Sequence, residues 1–159
     1  MTSSIKSIMN ENVLDKTVLV RADLNIPMSN GNISDQSRVE RVIPTINFLK
    51  SSGAKIVICS HLGRPNGKYN KNYTLRPLVE ILSNILETNV RFSNSCLGQE
   101  ALEIKTSLKA GEILLLENVR FHEEETNNSL SFAKKLSEGC DLFVNDAFSC
   151  SHRAHSSLH

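Results

Sequence analysis

Apolar residues along this chain come in short unbroken runs, separated by longer stretches where they recur every three or four positions. Five runs stand out: TVLVRA (Thr17–Ala22), KIVICS (Lys55–Ser60), NVRF (Asn89–Phe92), EILLLE (Glu112–Glu117) and DLFVN (Asp141–Asn145). They are short and mostly apolar throughout, without alternation, which suits strands buried on both faces of a parallel sheet. The stretches between them have helical period. Over residues 38–50, Val39, Val42, Ile43, Ile46 and Leu49 share one face, and Ser37 with Glu40 three positions later makes a capping-box pattern. Pro44 falls inside this helix and predicts a kink. A second helix is expected over 75–87, with Thr74 as N-cap, Pro77 in the first turn and a stripe of Leu75, Leu78, Val79, Leu82, Ile85 and Leu86. A weaker helix covers about 98–108, and a fourth runs from about 128 to 138 and stops at Gly139. Asn30-Gly31 and Asn66-Gly67 mark turns in the connecting loops. Strict strand–helix alternation implies an α/β fold: one parallel sheet with right-handed crossovers and helices on both faces, in three α/β/α layers.

Size and composition narrow the picture. With 159 residues and no linker or repeat, residues 1–159 read as one domain. Hydrophobic residues make up 40% and charged residues 22%, ordinary values for a folded domain. The net charge of +1, with no Trp and two Tyr, argues against a nucleic-acid or membrane-surface partner, which would need a basic face. Cys59, Cys96, Cys140 and Cys150 form no CxxC pair, so neither a zinc ribbon nor a thioredoxin-type motif fits. Cys59 and Cys140 sit in or beside apolar runs and are expected to pack as small hydrophobes. No export-type segment or membrane-length apolar stretch occurs, and a reduced cytoplasmic setting is the expectation.

In open α/β sheets ligands bind beyond the carboxyl ends of the strands, so the residues that follow each strand carry the chemistry. Asp23 and Asn25 follow the first, with Arg38 opening the next helix. SHLGRPNGK, with His61 and Arg64, follows the second. ENVRFHEEE, with Asn118, Arg120 and His122, follows the fourth, and NDAFSCSHRAHSS, with Asp146, His152, Arg153 and His155, follows the fifth. Four of the chain's eight arginines therefore belong to one edge. The guanidinium fork matches carboxylate and phosphate oxygens, and several at one edge require an anion or carboxylates to neutralise them. A small ligand with more than one negative charge follows. Taken singly, each arginine reads as a solvated loop residue or a surface ion pair; together at strand ends they read as a site. GRPNGKY lacks the spacing and the Lys-Ser/Thr of a P-loop, and no GxGxxG or GxSxG occurs. HRAH reads as hydrogen bonding at a helix start rather than metal ligation, and the acidic run after His122 reads as solvated.

VRADLNIPM, SHLGRPNGK, LLENVRFHEEE and VNDAFSCSHRAHSS, in this order, resemble the signatures of phosphoglycerate kinase over about residues 16–157. The resemblance implies a Rossmann-like N-terminal domain that binds 3-phosphoglycerate or 1,3-bisphosphoglycerate. It also implies a C-terminal domain that binds ATP or ADP with Mg²⁺, and reversible phosphoryl transfer between them in glycolysis, in a monomeric enzyme. Carried over to this chain, Asp23, Asn25, His61, Arg64, Arg120 and Arg153 match substrate-binding positions. Arg38 matches the arginine acting on the transferred phosphoryl group, and Arg21 is expected to be mainly structural. The nucleotide domain, its glycine-rich loops and its Mg²⁺ carboxylate are not in these 159 residues, so binding of phosphoglycerate without turnover is the expectation. Cys150 stands where the family has small residues. The competing reading from another class is a stand-alone anion-binding module; a receiver-like domain would need acids where these arginines stand.

Overall fold

The computed structural model describes residues 12–24, 28–29, 32–33, 37–63, 67–122 and 130–146. In chain order these residues form β1 (Thr17–Ala22), β2 (Met28–Ser29), β3 (Asn32–Ile33), α1 (Ser37–Ser51), β4 (Lys55–Cys59), α2 (Leu78–Leu86), β5 (Val90–Ser93), α3 (Gly98–Ser107), β6 (Ile113–Leu116), α4 (Leu130–Ser137) and β7 (Leu142–Asp146). Single 3-10 turns lie at Lys71–Tyr73 and Val119–Phe121.

The five apolar runs pair as one parallel sheet in the order β5-β6-β4-β1-β7. Their lack of alternation has a direct cause: both sheet faces are covered. Val18, Val20, Ile56, Ile58, Ile113 and Leu115 pack into a core with Val39, Val42, Ile46 and Leu49 of α1 and Leu78, Leu82 and Leu86 of α2. The intervening residues Leu19, Val57, Leu114 and Leu116 pack into a second core with Ala101 of α3, Leu108 and Leu136 of α4. The chain moves one way along the sheet through α1 and α2, then back the other way through α3 and α4. Opposite directions with helices on opposite faces are what right-handed crossovers require.

Helix ends are tied across elements. Lys50 Nζ donates to Leu86 O at 2.9 Å, joining α1 to the end of α2. Lys105 is buried in α3, and its ammonium donates to Leu136 O at 2.7 Å and Glu138 O at 3.1 Å. Those carbonyls close α4, where the helix dipole favours a cation.

Several expected boundaries shift. α1 runs through Pro44 as expected, with Pro44 and Glu40 both on the exposed side of the helix, where a carbonyl that loses its intrahelical N–H partner faces solvent. α2 starts at Leu78 rather than Leu75, and Thr74 is not its N-cap: that position is Pro77, with no side-chain bond. The Glu117 carboxylate takes Leu75 N, while the Thr74 hydroxyl accepts from Arg76 N at 3.2 Å, so Thr74 closes the turn that precedes α2 rather than α2 itself. The short antiparallel pair β2–β3 flanks positions 30 and 31 and was not legible as strands. Cys59 is buried and Cys140 half-buried against the second core. Burial pushes the Cys140 thiol up, outweighing the pull of Lys105 downward, with Asp141 also raising it, so the residue behaves as packing rather than as a thiolate.

Candidate functional site

The strand order sets a reversal point at the carboxyl ends of the sheet. β4 and β6 are neighbours, but the chain leaves β4 towards α2 on one face and leaves β6 towards α4 on the other. Such a reversal at adjacent carboxyl ends is the place on the rim of an open α/β sheet where ligands bind. Three of the expected motifs feed this rim: the residues after β1, after β4 and after β6.

Ser60, the first residue past β4, ties the three exits together. Its hydroxyl accepts from Leu24 N at 2.9 Å, beyond β1, and its carbonyl accepts from Val119 N at 3.0 Å, beyond β6. Beside it, Arg38 in the first turn of α1 donates to both carboxylate oxygens of Asp23, at 3.2 and 3.4 Å. Asp23 is thus held at the exit of β1 with a guanidinium across it. Arg38 keeps 42% of its side chain exposed, so it reaches solvent at the rim, whereas the Asp23 side chain is 13% exposed.

The exit of β6 is built on a buried pair. Glu117 Oε1 accepts from Leu75 N and from Asn118 N, each at 2.9 Å, and Oε2 accepts from the Thr74 hydroxyl at 2.5 Å. A carboxylate with three donors is a tolerable buried anion; without them it would be very costly. Asn118 continues the tie. Its amide donates to Leu62 O at 2.8 Å and Tyr73 O at 2.9 Å, and its oxygen accepts from Arg120 N at 3.0 Å. Together the two residues fasten the loop after β4, the segment before α2 and the loop after β6 into one block. Arg120 stands on that block, 8% exposed, and its Nη1 donates to Gly63 O at 3.4 Å. His61 is 3% exposed and lies one residue past Ser60; its Nδ1 is 3.1 Å from Nη2 of the fully buried Arg21 of β1.

Gly63 is required in this block. Its φ is +63°, and a Cβ there would stand 2.4 Å from two Tyr73 ring carbons. Gly63→Ala is therefore expected to lower stability by about 2 kcal/mol through backbone strain and the displaced ring. Chemical denaturation measures this, and an unchanged midpoint would show that the ring gives way freely.

Of the expected site residues, the structure brings Asp23, Arg38, His61 and Arg120 to the strand exits. Asn25, Arg64 and Arg153 lie outside the described residues. Glu117, Ser60 and Arg21 were not singled out as site residues from sequence. Glu117 looked like the last residue of a strand; the available signal was an acid closing a four-residue apolar run, a position where burial forces the chain to supply donors. Among the described residues no three His, Cys, Asp or Glu side chains gather to hold a metal ion, and none of their helices is long and apolar enough to cross a membrane.

A family model described as phosphoglycerate kinase matches residues 8–159. The chain belongs to the phosphoglycerate kinase family. The phosphoglycerate kinase of Borrelia garinii subsp. bavariensis is 49% identical over 155 residues, covering 97% of this chain and 39% of that protein. The phosphoglycerate kinase of Leptospira biflexa is 46% identical over 147 residues, covering 92% of this chain and 37% of that protein. Among solved structures, phosphoglycerate kinase from Pyrococcus horikoshii superposes with a TM-score of 0.87 at 38% identity, over 99% of this chain and 39% of that one. The Coxiella burnetii enzyme gives 0.84 at 38% identity. The chain thus spans about two-fifths of the length of the phosphoglycerate kinases it matches, and the α/β sheet described above is the fold it shares with them.

Proposed function

We propose that this chain supplies the phosphoglycerate site of a phosphoglycerate kinase, which transfers a phosphoryl group reversibly from 1,3-bisphosphoglycerate to ADP and yields 3-phosphoglycerate and ATP. The observation that supports this most is the convergence of the exits of β1, β4 and β6 on Ser60, which gathers Asp23, Arg38, His61 and Arg120 at one rim in a chain of this family. We assign nucleotide and Mg²⁺ to the part of full-length phosphoglycerate kinases outside the aligned two-fifths, and the 159 residues bind substrate without turning it over. We place the full-length enzyme in the cytoplasm as a monomer, as the resemblance to the family implies.

The chemistry asks little of a base. The acceptor carboxylate of 3-phosphoglycerate is already ionised at neutral pH, so rate comes from positioning and from stabilising charge on the transferred group. In this reading His61, Arg64, Arg120 and Arg153 hold the distal phosphate. Asp23 and Asn25 orient the hydroxyl and carboxylate end. Arg38 faces the phosphoryl group in transit, its fork held ready by Asp23.

The experiment is thermal unfolding with ligands. 3-Phosphoglycerate is expected to raise the Tm of the chain, glycerol is not, and the gain shrinks in high salt because part of the attraction is screened. Equal shifts from both compounds would defeat the assignment. ATP formation by the 159 residues alone in a coupled assay would defeat the expectation of binding without turnover.

A further inference from the structure

We propose that Arg21 is a positioning residue that fixes His61 as the neutral Nε2–H tautomer, so that His61 meets a phosphate as a neutral hydrogen-bond donor. The tautomer rests on the Arg21–His61 contact; its consequence for the ligand rests on the reading of His61 as a phosphoglycerate-binding residue.

Arg21 lies in the middle of the sheet, opposite Cys59 of β4 on one side and Asn145 of β7 on the other, and it is fully buried. Nη2 stands 3.1 Å from Nδ1 of His61. A guanidinium carries five N–H donors, no acceptor, and does not lose its proton in proteins. The contact therefore has one polarity: Arg21 donates and Nδ1 offers its lone pair. A neutral imidazole whose Nδ1 accepts carries its proton on Nε2. An imidazolium would aim a second N–H donor at the guanidinium, which has no acceptor to receive it. The contact leaves the ring as a donor of defined direction, oriented before ligand arrives. The side chain is hard to displace, because it is fully buried and issues from a strand paired on both sides, two positions on from Leu19 of the second core.

The first test needs no variant of Arg21. Imidazole ¹⁵N–¹H spectra of the chain without ligand, at mildly alkaline pH, are assigned among its five histidines by the signal lost in His61→Gln. The expected pattern is a protonated Nε2 and an unprotonated Nδ1. A protonated Nδ1, in either the other tautomer or the imidazolium, overturns the proposal. The second test is a double-mutant cycle on 3-phosphoglycerate affinity. Arg21→Met is expected to weaken binding about tenfold where the imidazole is present, the scale of one charge-assisted hydrogen bond. In the His61→Gln background, where an amide N–H takes the place of Nε2–H and no tautomer exists, the same change alters affinity within about twofold. Equal losses in both backgrounds overturn the proposal, since Arg21 then acts through the fold or its charge. Should Arg21→Met not fold, Arg21→Lys enters the same cycle with the buried cation retained and its reach changed. Unchanged affinity in His61→Ala overturns the ligand half together with the substrate reading; the tautomer spectrum is independent of both, so the two failures are distinguishable.

Discussion

Glu117→Ala is expected to lower the unfolding free energy by about 3–5 kcal/mol, a large share of the roughly 5–15 kcal/mol that holds a domain together. The alanine leaves Leu75 N, Asn118 N and the Thr74 hydroxyl without their acceptor, at a place closed to solvent. Each such group costs about 1–3 kcal/mol when stranded. Glu117→Gln separates this cause from charge. Its amide oxygen still accepts the two backbone N–H groups, and its NH₂ meets the Thr74 hydroxyl, which turns to accept. The glutamine variant is therefore expected to lose only about 1 kcal/mol. Urea denaturation of the three proteins gives both numbers. Equal losses for alanine and glutamine would mean that the negative charge, not the hydrogen bonds, holds the loops.

Arg38→Ala is expected to reduce kcat about 10³-fold when this segment is carried in a full-length phosphoglycerate kinase, the scale of losing an arginine from a phosphoryl-transfer site. 3-Phosphoglycerate affinity should change far less, because Arg38 is assigned to the group in transit. Arg64→Ala should do the reverse, weakening affinity more than it slows turnover. The geometry adds a control. Arg38 is oriented by a two-oxygen contact with Asp23, so Arg38→Lys, which keeps the charge and loses the fork, should recover only part of the rate. Equal affinity losses for Arg38→Ala and Arg64→Ala would contradict the division of roles.

Much of the fold was legible because burial on both faces leaves a plain signature. The run ILLL at Ile113–Leu116 alternates between two cores, so every position must be apolar, and the same holds for Val18–Val20 and Ile56–Ile58. The helix stripe of α1 follows from the same need on one face. The start of α2 was misplaced because a local rule was applied where a distant residue prevails. Thr74 does accept from Arg76 N two positions on, but Leu75 N and the Thr74 hydroxyl proton go to Glu117, more than forty positions away. The arginines were legible as a set because the strand-end rule groups loops without coordinates. Arg21 was not, since a strand residue is not expected to reach the side chain of the next strand's loop.

The sequence by itself determined the order of the five strands of the large sheet and of the four helices, the mostly apolar character of those strands and the residue types that follow each of them. These depend on local period and residue type. Only the tertiary structure decided which exits adjoin, that Glu117 and Asn118 fasten three segments into one block, and that Arg21 meets Nδ1 of His61. Those follow from contacts between residues 36 or more positions apart, and hydrogen bonding in a dry interior is settled by which donors and acceptors meet there, a pairing no local pattern encodes.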